Sequence, residues 1–177
     1  GKALMKILSI ESSCDETAAA VVEDGRKVLS SVVDSQVAEH RQYGGVVPEI
    51  ASRAHADVIS QVADEAVKTA GISLRDVDAV AVTNCPGLIG CLLVGTSFAK
   101  GLASSLGVPL IPVDHIEAHA AAAYLDNREL KPPFGALVVS GGHTSLYDVT
   151  DHTVMKVAGE TRDDAAGEAF DKVGRII

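Results

Sequence analysis

Residues 6–35 constrain the fold more than any other part of the chain. They read KILSIESSCDETAAAVVEDGRKVLSSVVDS. Ile7 to Ile10 has a buried-strand pattern, Ala18 to Val22 is a second apolar run, and Lys27 to Ser35 gives a third. Asp24-Gly25 between the second and third is a hairpin signal, because both residues tolerate the positive φ that a two-residue turn demands. The first and second runs are joined by Glu11 to Thr17, a turn made of acids and hydroxyls. Three adjacent antiparallel strands are predicted, and the polar turn is placed at a strand end.

The remainder alternates. Pro48 to Ala70 carries apolar residues at Ile50, Ala54, Val58 and Val62, a spacing of four, with Pro48 near the start and Gly71 past the end. VDAVAVTN has no polar alternation and predicts a fully buried strand. CLLVGTSFAKGLASSLG predicts a small-residue helix ended by Gly107, VPLIPV a further strand, and VDHIEAHAAAAYL a helix after it. FGALVVSGGHTSLYDVT predicts a hairpin bent at Gly141-Gly142, and DDAAGEAFDKVGRII the start of a last helix. Strand–helix alternation after an antiparallel start predicts an α/β fold, a mixed sheet flanked by helices. No internal repeat or long linker is visible. The simplest division is residues 5–133, with a second segment at 134–177.

Composition supports that class. Nearly half of the 177 residues are apolar, aromatics make up 3%, and Trp is absent, so Val, Ile, Leu and Ala must build the core. The net charge is −9, which opposes non-specific binding to a polyphosphate, so any nucleic-acid contact needs a local basic patch or a partner. No apolar run reaches the roughly 20 residues that span a bilayer. Cys14, Cys85 and Cys91 are odd in number and lack C-x-x-C spacing, which predicts reduced thiols in a cytoplasmic protein. No signal peptide is visible, and Gly1 to Leu4 read as an added remnant ahead of a start at Met5.

Three segments carry chemistry. His115 and His119 stand four apart on a predicted helix, so both imidazoles share one face and can reach one ion. Glu117 lies about 200° around the helix from His115, which disfavours a zinc-protease base. Two ligands make an incomplete site. VVSGGHTSL places two glycines directly after a buried strand, where backbone N–H groups can cradle an anion and Ser140, His143 and Thr144 can add donors. The alternative is a tight hairpin. IESSCDET offers Glu11, Asp15 and Glu16 beside three hydroxyls. That set can orient a ligand, hold a cation through water or accept a proton, or it can be a solvated turn. Cys14 lacks an evident base and reads as a small packed thiol. Asp163 and Asp164 read as helix-start charges. Asp171 and Lys172 suit a ligand rim, and Arg53 and His55 could face solvent, a partner chain or RNA. PGLIGCLLVG reads as a strand–turn–helix junction with a face that permits close helix packing.

In their order and spacing, SIESSCDET, GGVVPEIASRAH, PGLIGCLLVG, DHIEAH, VVSGGHTSL and DDAAGEAFDK closely resemble the TsaD-type tRNA N6-adenosine threonylcarbamoyltransferase family, from about Lys6 to Ile177. The resemblance implies the actin/Hsp70/sugar-kinase fold, with lobes of RNase H-like topology. It implies transfer of a threonylcarbamoyl group from threonylcarbamoyl-adenylate to N6 of adenine 37 in tRNAs reading codons that begin with A. It also implies an iron or zinc ion on His115 and His119, with an aspartate far downstream as third ligand. Val138, Val139, Ser140, Gly141, Gly142 and Asp171 are implied to contact the substrate nucleotide, and Asp15 and Glu16 to lie near the reacting group. tRNA, a related subunit of the same fold and a small ATPase are the implied partners. Family members are about twice this length, so the chain corresponds to an N-terminal half, one lobe and the start of a second, and is expected to be inactive alone. A non-catalytic paralogue of the same fold and a small-molecule kinase of the superfamily are the alternatives. The two histidines argue against both.

Overall fold

A computed structural model describes residues 4–127 and 129–176. Gly1 to Ala3, most of the expected remnant, lie outside the described residues. The chain divides into two compact units, Gly1–His115 and Ile116–Ile177. The division expected at residue 133 from sequence coincides instead with the start of the second unit's sheet.

The first unit is a five-stranded mixed sheet in the order β3-β2-β1-β4-β5, where β1 is Lys6–Glu11, β2 Glu16–Glu23, β3 Lys27–Ser35, β4 Ala79–Cys85 and β5 Leu110–Asp114. The first three strands are antiparallel, and β4 and β5 run parallel to β1. Asp24 and Gly25 take the positive φ that the β2–β3 turn requires. Register sets Leu8 opposite Val21 and Val80, and Ile10 opposite Ala19 and Val82, so one sheet face is a continuous aliphatic patch. Helices α2 (Pro48–Thr69) and α3 (Ile89–Leu106) cover it, after a short α1 at Val37–His40. Burying Ile59, Val62 and Val67 of α2 there is worth roughly 1.5–3 kcal/mol each. By length and composition α3 is apolar enough to cross a membrane. In this fold it packs on β4 and α2, with Cys91, Gly95, Ala99 and Ala103 buried.

The second unit begins with α4 (whose first residue, His115, closes the first unit) at His115–Ala121, and α5 at Ala123–Asp126. An antiparallel meander follows, β6 (Phe134–Val139), β7 (Thr144–Asp151) and β8 (Val154–Glu160), and then α6 (Ala166–Gly174). Ile116 and Ala120 pack on Val138, Ala136 and Tyr147, while Tyr124 meets Phe134 edge to face at 5.7 Å. On the other sheet face Leu137, Val139 and Leu146 are exposed.

Three expectations need revision. The buried face of α2 is Ala51, His55, Ile59, Val62 and Ala66, one residue on from the expected Ile50–Ala54–Val58 stripe, which is half-buried. This turns His55 inward, fully buried, and not toward solvent or a partner. Strand β8, with no strong alternation, was not expected; it pairs with β7 through a bulged register. Finally, the sequence has no repeat, yet β6-β7-β8-α6 follows the same order as β1-β2-β3 and α2, apart from the short α1 that precedes α2. The order of elements repeats while residue identity does not.

Candidate functional site

The polar turn after β1 is built from both sides. Glu11 ends β1 and shares its sheet face with Thr83 of the parallel neighbour β4. Its carboxylate accepts from the Ser13 backbone N–H, from Thr83 Oγ1 at 2.6 Å and from His115 Nδ1 at 3.1 Å. Burial by itself would raise the Glu11 carboxyl. The bonds from Ser13, Thr83 and His115 outweigh it and hold the group below the ordinary Glu value of 4.5. Ser13 Oγ also meets His115 Nδ1, at 3.2 Å. A carboxylate that accepts Nδ1–H fixes the imidazole tautomer and puts the lone pair on Nε2, the arrangement that metal-ligating histidines use. Glu11 and Ser13 stand in the polar turn singled out from sequence; Thr83 does not, and the bonds that join Glu11 to Thr83 and His115 were not foreseen. Their partners lie 72 to 104 residues apart, beyond any local pattern.

The turn itself is pinned residue by residue. Ser12 Oγ donates to the Cys91 carbonyl at 2.9 Å, Leu88 N–H donates to the Ser13 carbonyl at 2.8 Å, His55 Nε2 meets the Cys14 carbonyl at 3.0 Å and Gln36 N–H donates to the Asp15 carbonyl at 3.0 Å. Asp15 is half-buried, and Glu16 is exposed with its carboxylate 3.4 Å from Ser35 Oγ. The glycines of PGLIGCLLVG serve this turn. A Cβ on Gly95 would collide with Ser12 Oγ, and one on Gly87 would lie 2.7 Å from the Ser13 carbonyl oxygen. Only Gly90 meets another helix, at Ser52 of α2. Cys14 is exposed, contrary to the packed thiol expected, and Cys91 is the buried one. Partial burial and the neighbouring Asp15 charge push the Cys14 thiol up to about 11, so it is a poor nucleophile at neutral pH.

In the second unit, His119 is exposed and lines a hollow of about 550 Å³ together with Ala120, Ala123, Val138 and Val139 of β6, and Ser140 just after it. The sequence-identified His119 and the first half of the VVSGG segment are thus brought together. The Gly-Gly turn differs from an open anion nest. Ser140 Oγ accepts from the N–H groups of Gly142 at 3.3 Å and His143 at 3.0 Å, and Ser140 N–H donates to the His143 carbonyl. Helix α6 abuts this turn at Gly167, where a Cβ would meet Gly141 and Ser140 backbone atoms at 2.8 Å. Asp171 is exposed one turn further along the same face. Asp164 does not cap α6 with its side chain; it pairs with Lys172 at 2.7 Å.

His115 and His119 lie one turn apart on α4. Among the described residues no group of three His, Cys, Asp or Glu side chains could hold a metal ion. The donor chemistry fits two positions of an imidazole-held ion, with the first imidazole already oriented by Glu11.

The family model for TsaD, tRNA N6-adenosine threonylcarbamoyltransferase, matches residues 27–177. The chain belongs to the TsaD family. A Clostridium perfringens protein named tRNA N6-adenosine threonylcarbamoyltransferase is 58% identical over 171 residues, which is 97% of this chain and 50% of that protein. The chain therefore spans about half the length of the curated relatives it matches. Among solved structures, YeaZ from Pseudomonas aeruginosa aligns at a TM-score of 0.57 and 20% identity, over 89% of this chain and 66% of its own. A ROK hexokinase from Thermus thermophilus aligns at 0.54 and 21%, over 93% of this chain and 51% of its own. These likenesses show the fold, the actin/Hsp70/sugar-kinase type expected from the motifs.

Proposed function

We propose that the full-length TsaD-family protein to which this chain corresponds transfers the threonylcarbamoyl group of threonylcarbamoyl-adenylate to N6 of adenine 37 in tRNA. The observation that carries the reading is the Glu11–His115 pair. A carboxylate held ionised by Ser13 and Thr83 fixes the tautomer of the first H-x-x-x-H imidazole, which a sugar kinase of this fold does not need. His115 and His119 would hold an iron or zinc ion, with a third ligand from the downstream half. When bound, the ion supplies Lewis-acid polarisation of the carbamoyl oxygen and a template for the donor.

The protein's own residues do the rest. The donor is a mixed anhydride, so no covalent enzyme nucleophile is needed. The N6 amine forms the new C–N bond, the carbamoyl C–O bond to the adenylate phosphate breaks, and AMP leaves with the electron pair. The amine proton passes to the carboxylate of Asp15 or Glu16, whose turn is rigidly held. Val138 to Gly142 and Asp171 form the wall for the nucleotide, and positioning supplies much of the rate. With a net charge of −9, this half leaves most of the tRNA affinity to the rest of the protein or to partners, a related subunit of the same fold and a small ATPase.

The test is metal content and product formation in the full-length protein. Wild type should carry one transition metal per chain and modify tRNA, as read by mass spectrometry of nucleosides. His115→Ala and His119→Ala should lose both. Unchanged metal content in the double variant would sink the assignment.

A further inference from the structure

Beneath the acidic turn lies a buried polar relay that the chemistry above does not use. His55 is 0% exposed, Thr17 0%, Gln36 2% and His40 3%. These four side chains join the turn to the loop ahead of α2. At one end the Val47 backbone N–H points at His40 Nδ1, at 3.4 Å. At the other, His55 Nε2 meets the Cys14 carbonyl at 3.0 Å. A backbone N–H can only donate and a carbonyl can only accept, so the direction of every link follows.

His40 Nδ1 accepts, so His40 Nε2–H donates to Gln36 Oε1 at 3.1 Å. That orients the Gln36 amide, whose Nε2 then donates to the Ala51 carbonyl and to His55 Nδ1, both at 3.4 Å. His55 Nδ1 accepts a second, shorter bond from Thr17 Oγ1 at 2.7 Å. Its remaining proton sits on Nε2 and is given to Cys14. The four groups form one consistent circuit with no donor facing a donor, the condition under which a buried network rigidifies its surroundings. Beyond the turn, the backbone of Gln36 closes on the Asp15 carbonyl. Gly45 and Val46 of the loop line a hollow of about 240 Å³ together with His40 and Asp15.

We propose that His55 is a positioning residue for the acidic turn, and that His40, Gln36 and His55 together tie the Gly44–Val47 loop to the backbone that carries Asp15 and Glu16. This rests on the reading of Asp15 and Glu16 as the acids beside the reacting amine. His55 touches neither substrate nor reacting atoms; it acts by fixing the Cys14 carbonyl.

Two near-isosteres separate the roles. In His55→Asn the amide oxygen takes the place of Nδ1, so the bonds from Thr17 and Gln36 survive while the donor to Cys14 is lost. In His55→Gln the amide nitrogen takes the place of Nε2, so the donor to Cys14 survives while the acceptor for Thr17 and Gln36 is lost. In the full-length protein, His55→Asn should lower kcat for threonylcarbamoyl transfer about 100-fold with KM unchanged. His55→Gln should keep kcat within a few-fold of wild type despite a lower Tm. Amide exchange supplies a readout independent of the reaction. The Gln36 N–H, bonded to the Asp15 carbonyl, should exchange faster in His55→Asn than in His55→Gln. If kcat follows Tm across both variants, or if Gln36 exchange is equal in the two, the positioning role is overturned. If the exchange contrast holds while wild type transfers no threonylcarbamoyl group, the relay stands and the functional reading falls.

Discussion

The chain has two turns in the same topological place. Each joins the first two strands of an antiparallel meander that leads into a helix, at Glu11–Glu16 in the first unit and at Ser140–His143 in the second. The first is held by bonds from β4, α2, α3, α4 and Gln36 just past β3, the side-chain ones buried or part-buried. The second satisfies itself through Ser140 and is braced by the start of α6. One topology thus yields a turn whose shape is imposed by its surroundings and a turn whose shape is local. The difference follows from what packs on each sheet. β1 is flanked by β2 and β4, whereas β6 is the edge of its sheet and keeps Leu137 and Val139 exposed.

The largest expected effect is at Gly95. An alanine there drives its Cβ into Ser12 Oγ in a buried site, and overpacking of this kind costs about 1–3 kcal/mol. The obstruction is a side chain, with Ser12 Cβ at 3.4 Å and the nearest Val82 methyl at 3.7 Å once Oγ is gone. Ser12→Ala should therefore recover part of the loss of Gly95→Ala in a double-mutant cycle of urea denaturation. Additive losses would show that the helix, and not the hydroxyl, sets the fit.

Gly167→Ala is the counterpart in the second turn and should cost about 1–2 kcal/mol. Here the neighbours are Gly141 and Ser140 backbone atoms, which no side-chain deletion can remove. The turn is exposed, so α6 and the turn should part locally. Faster amide exchange at Gly167, whose N–H donates to Ser140, with little change in the first unit, is the expected result. A global loss of protection would break the contrast between imposed and local turns.

How much of this was legible from the sequence depends on range. The β1–β3 meander, α2, β4 and the β6–β7 hairpin follow from period and turn residues within a few positions of one another. So do His115 and His119 as a pair on one helix face, because helix geometry alone relates them. Glu11 reads as one of three acids in a polar turn until the parallel register with β4 puts Thr83 beside it and α4 brings His115 to its carboxylate. His55 reads as a surface residue because the apolar stripe Ile50–Ala54–Val58 fits the helical period as well as Ala51–His55–Ile59. The choice is made by Thr17 on β2 and Gln36 just past β3, polar groups that need a buried partner. Gly95 looks like a helix–helix contact because a missing side chain does not say what fills its place.

The Glu11 carboxylate at the end of β1 gives a pH-dependent and smaller effect. Glu11 has a depressed carboxyl, so its contribution to stability is present above the ordinary value of 4.5 and is lost as pH falls through the lower folded value. Wild type should be more stable than Glu11→Gln at pH 7, and the gap should narrow as the pH is taken below 4.5 in matched urea titrations. A gap that widened in acid would mean that burial, and not the bonds from Ser13, Thr83 and His115, dominates the carboxyl.

The smallest expected effect sharpens the comparison most directly, because it sets one serine against another. Ser12 Oγ donates to a buried carbonyl from a residue that is fully buried, so Ser12→Ala should cost about 1 kcal/mol. Ser140 Oγ accepts two N–H groups in an exposed turn, and water can replace it, so Ser140→Ala should cost no more than about 0.5 kcal/mol. What Ser140→Ala should change is the turn's chemistry: the Gly142 and His143 N–H groups, released from the side chain, become available to a ligand. Inorganic phosphate titrated onto the variant and followed by amide shifts should perturb Gly142 and His143 more than in wild type. Equal or weaker perturbation would mean that Ser140 belongs to the ligand's cradle and does not compete with it, and the second turn would then be as preorganised as the first.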